Sequence, residues 1–236
     1  MDIEKYSKNY PIYYTGKIPQ LLREYLRPEE KLSLIDCGCG DGGLLQALKI
    51  NGFLKNKKVY AIDLSKNRLK LVKAIDKSII TYVDNAEELK HIKNSCIDFF
   101  ISTQVIEHVG QDKMLKNIAR VMRKNGTVYI TTVYKKWYGW YFYRNHGAWV
   151  IDPTHLREYG KDSELLEDVK KYGLKVIVNQ KKLIWFPVIG YFVKLFSIKN
   201  RMVYDNKLMR ALRHISIPIL GYYTWELMLE KNNIHD

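Results

Sequence analysis

Cysteine, proline and acid are all scarce in this 236-residue chain. Its three cysteines, Cys37, Cys39 and Cys96, form no C-x-x-C pair, which removes the usual spacing of a zinc site. Free thiols of this kind fit a reducing, cytoplasmic setting. The opening Met1-Asp2-Ile3-Glu4-Lys5 carries acid and no apolar core, so it does not read as a signal peptide. The longest apolar stretch, Leu183 to Phe196, is 14 residues interrupted by Pro187, Gly190 and Lys194. That is too short and too broken to span a bilayer. Acids number 25 against 39 Lys and Arg, leaving a formal charge of +14. Such a balance directs attention to nucleic acid, an anionic membrane surface or a phosphorylated substrate. The lysines, however, are spread from Lys5 to Lys231 with no block of five or more basic residues. Surfaces rich in Lys and Glu also belong to heat-adapted proteins in general.

What is present starts with the run Leu32-Ser33-Leu34-Ile35-Asp36-Cys37-Gly38-Cys39-Gly40-Asp41-Gly42-Gly43. It reads as a buried parallel strand breaking into a glycine turn and then a helix, Leu44 to Ile50. Alternate glycines let a ligand approach the main chain, and the helix offers free N–H groups to it. Val59-Tyr60-Ala61-Ile62-Asp63 is a second apolar run, ending in an acid 21 residues past Gly42. A carboxylate at that strand tip suits ribose hydroxyls. Thr81-Tyr82-Val83-Asp84-Asn85-Ala86 ends a third run with an acid and an amide. Taken singly, Asp63 also reads as a helix N-cap and Asp84 as a solvated turn residue. The turn is not the G-x-G-x-x-G of nicotinamide enzymes, and no Lys follows it as a phosphate-binding loop requires.

In order, these elements resemble the class I, Rossmann-like methyltransferases that use S-adenosylmethionine, over roughly Leu32 to Val133. The resemblance implies that Asp36, Gly38, Cys39, Gly40 and Gly42 carry the methionine half of the cofactor. It puts Asp63 and Leu64 on the ribose, Asp84, Asn85 and Ala86 on the adenine edge, and Gln104 behind the methionine moiety.

Strands and helices alternate: Leu32–Cys37, Leu44–Ile50, Lys58–Asp63, Lys66–Ile75, Ile79–Val83, Ile97–Ser102, Asp112–Arg123 and Thr127–Val133. Asn125-Gly126 reads as the helix stop before the fifth strand. The pattern predicts an α/β, doubly wound, mostly parallel seven-stranded sheet. Leu174–Val178 and Tyr222–Glu230 look like the antiparallel pair that ends methyltransferase sheets. A helical, apolar insertion is expected before the last strand. One domain, residues 1–236, accommodates all of this, with a helical segment over 1–30. Residues 134–160 and 183–216 read as substrate-side cap insertions, either plain structural caps or an apolar lid or membrane-facing patch. Within the second, Arg201, Lys207, Arg210 and Arg213 accompany Met202, Leu208, Met209 and Leu212 in a basic amphipathic pattern.

A sulfonium methyl group is already activated, so the protein has to align the nucleophile and help remove a hydroxyl proton. The fourth strand runs into Gln104-Val105-Ile106-Glu107-His108-Val109. A similar element in ubiquinone-biosynthesis O-methyltransferases carries a first Glu and then Glu-His as a magnesium-linked site. Here Gln104 holds the first position, and no metal centre is expected; Glu107 and His108 are placed on the pocket floor. Asp152-Pro153-Thr154-His155-Leu156-Arg157-Glu158 resembles the histidine loop of O-methyltransferases acting on small molecules and saccharides. His155, a neutral imidazole beside a carboxylate, is the candidate base, and it reads equally as a helix cap. His146 is a weaker candidate, and Arg157 is either an anion ligand or a pairing partner. The Asn/Asp-Pro-Pro-aromatic element of amino-methylating enzymes is absent, as is a cysteine pair for C5 chemistry on RNA. Expected, then, is O-methylation of a small, saccharide or lipid-linked acceptor, in the cytoplasm or at the inner membrane face. An RNA methyltransferase and a non-catalytic cofactor-binding scaffold remain the alternatives.

Overall fold

A computed structural model describes residues 17–145, 147–187 and 215–232. His146 and the basic amphipathic stretch from Arg201 to Arg213 fall outside the described residues.

Apolar runs bounded by turns form the strands β1 (Ser33–Cys37), β2 (Lys58–Asp63), β3 (Ile80–Val83), β4 (Ile97–Thr103) and β5 (Met122–Lys135). Helices separate them: α1 (Gln20–Tyr25) precedes the sheet, then come α2 (Gly43–Ile50), α3 (Lys66–Ile75) and α4 (Gln111–Val121). A short hairpin, β6 (Tyr143–Asn145) and β7 (Ala148–Val150), follows β5. The chain then forms α5 (Ser163–Lys171), β8 (Leu174–Pro187) and β9 (Ser216–Lys231). The seven long strands lie in the order β3-β2-β1-β4-β5-β9-β8. The first five are mutually parallel, and β9 runs antiparallel to both its neighbours. The expected doubly wound sheet with an antiparallel last strand is therefore present.

Alternation along the buried strands sends side chains to two cores, as period-two geometry requires. Leu34, Phe99, Ile101 and Tyr129 pack with Leu22 of α1, Leu45 and Leu48 of α2 and Val72 of α3. Ile35, Phe100, Val128 and Ile130 pack with Leu115 and Ile118 of α4 and Leu165 and Val169 of α5. Full burial of such side chains stabilises by roughly 1.5–3 kcal/mol each. Because the parallel strands share one direction, their C-terminal tips gather along one edge. The turns after β1, β2, β3 and β4 meet there.

Two boundaries differ from the sequence reading. The helix before β5 stops at Val121, not at Asn125-Gly126, and those two residues sit inside β5 at an irregularity in its pairing with β4. Asn125 takes the left-handed conformation (φ 59°) that a bulge demands and that asparagine tolerates. The closing pair is also longer than expected. Residues 183–187 continue β8 as strand and Ser216 opens β9 as strand, so neither described end of the expected helical insertion is helical. Residues 188–214, between these ends, lie outside the described residues.

Candidate active site

The turn after β1 is built to let a ligand in. Gly38 has φ +76°, and a Cβ there would lie 2.3 Å from Val105 Cγ2. The N–H groups of Gly38 and Cys39 both donate to Ile62 O on β2, at 2.8 and 3.0 Å. Asp63 ties this turn to the next: its Oδ2 accepts from Gly40 N–H at 2.9 Å, its Oδ1 from Ser65 N–H at 2.8 Å. Ser65 in turn caps α3 by accepting from Arg68 N–H. At the tip of β3, Asp84 accepts from Asn85 N–H at 2.7 Å, and from His91 N–H at 3.0 Å. His91 Nδ1 lies 2.8 Å from the same carboxylate, with its ring stacked on Tyr82.

A cavity of about 360 Å³ opens over these turns. Small-ligand sites commonly fall in the range of roughly 300–1,000 Å³. Of the expected cofactor residues, Gly38, Asp63, Leu64, Asp84, Asn85, Ala86 and Gln104 line it. Asp36, Cys39, Gly40 and Gly42 do not: they shape the turn from behind. Val105, Val109, Arg68 and Thr154 line it as well and were not singled out from the sequence. Thr154 had a signal, being the neighbour of His155 in the singled-out loop.

The carboxylates give the cavity its electrostatic character. Asp36 is buried with no hydrogen-bond partner for Oδ1 among the described residues. Burial, reinforced by the nearby Asp63, pushes its pKa up to about 7. Burial also raises Asp63, against the pull of the Ser65 N–H, Arg68 and the Gly40 N–H. Asp84 goes the other way: burial opposes ionisation, but the His91 and Asn85 hydrogen bonds hold its carboxyl below the usual range. Asp63 and Asp84 are held by N–H donors and, of the three, only Asp36 has an oxygen, Oδ1, that lacks a partner among the described residues, so the glycine cradle is ringed by acids whose setting suits a sulfonium and an ammonium group. The residues fit S-adenosylmethionine. The adjacent thiols of Cys37 and Cys39 are buried and pushed upward by burial and by these acids, so they stay neutral.

At the other end stands a polar cluster. His108 lines the cavity; Glu107 and His155 lie behind it, buried. Thr132 Oγ1 donates to Glu107 Oε2 at 3.0 Å, and Glu107 Oε1 has no hydrogen-bond partner among the described residues. Burial pushes Glu107 up to about 7. His108 Nδ1 lies 3.3 Å from Thr154 O and 3.2 Å from Thr154 Oγ1. Burial and then the neighbouring His155 lower its pKa. His155 Nδ1 lies 3.0 Å from Glu158 Oε1, and its ring meets that of His108 edge-on at 4.7 Å. The expected base is thus a step removed from the cavity; His155 lines a smaller pocket of about 220 Å³ with Lys135 and Glu158. The loop is clipped to the turn after β4: Leu156 N–H donates to Glu107 O at 2.9 Å. Arg157 Nη1 donates to Ile106 O and Val109 O at 2.8 and 2.6 Å, and its guanidinium also acts on Tyr159 and Glu87, so it serves as a pairing partner within the fold. Magnesium, the ion linked to the resembling element, does not fit these donors. One carboxylate and two imidazoles replace the all-oxygen octahedron it demands, and Gln104 brings no charge.

A family profile described as "Methyltransferase domain" matches residues 35–130. The ubiquinone biosynthesis O-methyltransferase of Rickettsia akari is 30% identical over 207 residues, covering 79% of this chain and 80% of that protein. With the sheet order and the cradle described above, the chain belongs to the class I S-adenosylmethionine-dependent methyltransferases, and S-adenosylmethionine is its cofactor. Within that class, the protein of the same name from Pelagibacter ubique is 28% identical over 166 residues. That alignment spans 66% of this chain and 66% of that relative's length. Among solved structures, a SAM-dependent methyltransferase from Methanosarcina mazei superposes with a TM-score of 0.62 at 15% identity, covering 91% of this chain and 98% of that one. A geranyl diphosphate methyltransferase in complex with SAM gives a TM-score of 0.57 at 12% identity, covering 90% and 83%. At such identities the superpositions speak for the fold.

Proposed function

We propose that the chain transfers the methyl group of S-adenosylmethionine to a hydroxyl oxygen of a small or lipid-linked acceptor. An aromatic hydroxyl is the first choice, in keeping with relatives named for ubiquinone biosynthesis. One observation carries this reading: a single cavity has the acid-tipped adenosyl cradle at one end and His108 with Thr154 at the other. The cofactor, when bound, would supply an electrophilic methyl carbon for in-line displacement, its carbon–sulfur electron pair going to sulfur as the acceptor oxygen takes the methyl group and gives up its proton. Asp36, Asp63 and Asp84 provide the negative potential that favours the cationic ligand over its neutral thioether product. Gln104, held by its N–H to Thr131 O and its amide to Thr131 Oγ1, forms the wall between cradle and acceptor. Glu107, His108 and His155 draw the proton from the hydroxyl.

The described residues form a single domain capped by residues 134–160; of the expected second cap, residues 183–187 and Ser216 are strand, and 188–214 lie outside the described residues. The described parts of these segments expose Trp137, Tyr138, Trp140, Phe142 and Trp185. All lie at the edge where β5 and β8 end, the edge that carries the cavity. That aromatic rim suits an apolar acceptor and peripheral contact with a lipid surface.

Isothermal calorimetry with S-adenosylmethionine and label transfer to phenols, saccharides, lipid extract and RNA test the reading. Label on a hydroxyl of a small or lipid-linked acceptor is expected; label on RNA alone overturns it. His155→Ala should lower kcat by roughly 100-fold, a common worth of acid–base assistance, at unchanged cofactor affinity. Equal loss of turnover and cofactor binding would reduce His155 to a structural residue.

A further inference from the structure

We propose that His91 is a positioning residue for the cofactor: it orients Asp84 so that the carboxylate reads the 6-amino group of adenine and refuses a 6-oxo purine. This role rests on the expected placement of the adenine edge against Asp84.

A carboxylate has two oxygens and about four lone-pair sites. In Asp84 three of them are taken within the fold. Oδ1 accepts from Asn85 N–H at 2.7 Å; Oδ2 accepts from His91 N–H at 3.0 Å and lies 2.8 Å from His91 Nδ1. An anionic carboxylate has no hydrogen to give, so Nδ1 is the donor of that pair. Oδ2 is thereby filled, and what Asp84 keeps for the cavity it lines is one acceptor position on Oδ1. An exocyclic amine meets that atom as a donor. The carbonyl oxygen of hypoxanthine would meet it lone pair against lone pair, which a buried polar group tolerates poorly.

The route that returns His91 to Asp84 is more elaborate than packing requires. The His91 side chain is half exposed, and an ion pair so open to water adds little to stability. Yet Leu89, two residues earlier, is fully buried and held at φ 47°, a costly conformation for a bulky residue. Arg120 of α4 secures the segment: Nη2 donates to Glu88 O and Leu89 O, both at 3.0 Å, and Nη1 to Ile92 O at 2.9 Å. Strained backbone that its surroundings hold in place gathers at ligand sites. The His91 ring also stacks on Tyr82, with centroids 4.9 Å and planes 10° apart, which fixes the direction of Nδ1.

Isothermal calorimetry on the full chain compares S-adenosylhomocysteine with S-inosylhomocysteine, which carry an amino and an oxo group at position 6 of the purine. The first should bind tighter by roughly 100-fold, the worth of a hydrogen bond to a charged group. His91→Phe, which keeps a ring on Tyr82 but loses the donor, should cut that ratio about tenfold. His91→Asn, whose amide nitrogen can stand where Nδ1 stood, should restore it to within about threefold. A merely structural His91 would weaken both ligands alike and leave the ratio unmoved. An unchanged ratio in His91→Phe, or a His91→Asn variant no better than it, overturns the proposal. Asp84→Asn separates this role from the placement beneath it. A ratio lost there but kept in His91→Phe sinks His91 alone; a ratio kept in both, or absent from the unaltered protein, shows that adenine does not meet Asp84.

Discussion

Asp36 is an acid whose neighbours all favour its neutral form. Its folded-state pKa of about 7 lies above the ordinary 3.8, so between those values the native protein holds a proton that the unfolded chain releases. Stability of the ligand-free protein therefore falls as pH rises through that window. Asp36→Asn, neutral at every pH, should stabilise the ligand-free protein at pH 8 by on the order of 1–3 kcal/mol, with the gain vanishing near pH 4. Urea denaturation at the two pH values measures it. A cationic ligand beside this group should expel its proton, so calorimetry near pH 6 in buffers of different ionisation enthalpy should show net proton release on S-adenosylmethionine binding; zero release would mean that Asp36 does not sense the ligand. At this scale the sequence was partly legible. Acids at strand tips and the Glu107-His108 pair could be read because a strand's end fixes their place. That His155 stands behind His108, with Thr154 on the cavity wall, could not, because a loop of irregular backbone has no periodicity from which to infer direction.

Among the elements, the joint between the first turn and the turn after β4 is the tightest. Gly38→Ala confronts two separate obstacles: φ +76°, which costs an ordinary residue about 1–2 kcal/mol, and the Val105 methyl at 2.3 Å. Thermal unfolding should show a loss of about 2–4 kcal/mol together with loss of cofactor binding. Adding Val105→Ala should recover only the steric part; full recovery would show that the backbone conformation carries no strain. Strands β1 to β4 and the helices among them were legible because their burial is two-sided and their stops are glycine or polar. The end of α4 was misplaced because Asn125-Gly126 signals a left-handed turn equally well as a helix cap or a strand bulge. The length of β8 and β9 was hidden because residues 179–187 mix Lys and Gln with Trp and Phe, and no clean alternation marks a ribbon that passes beyond the sheet's covered face.

For the molecule as a whole, a formal charge of +14 stands beside an exposed aromatic rim, and the proposed lipid contact would draw on both. No helix among the described residues is long and apolar enough to cross a membrane. Charge alone gives polyanion binding that fades steeply with salt, whereas buried aromatic surface does not. Cosedimentation with anionic vesicles should thus persist at a salt concentration that releases RNA. Replacing Trp137, Trp140 and Trp185 together by Ser should reduce it at little change in folding stability, within about 0.5 kcal/mol per exposed site. Binding to RNA and vesicles with identical salt profiles, unaffected by these changes, would show that the rim plays no part.

The clip between Arg157, the carbonyls of Ile106 and Val109, and the Leu156 N–H has a bearing on selectivity. It ties the turn after β4, on one side of the cavity, to the loop that carries Thr154 and His155. Where that cavity holds donor and acceptor together, as proposed, a wall fastened in this way would sort acceptors as a fixed gauge does: a misfit molecule would be refused by shape, and widening the gap for it would loosen the grip on the methyl donor as well.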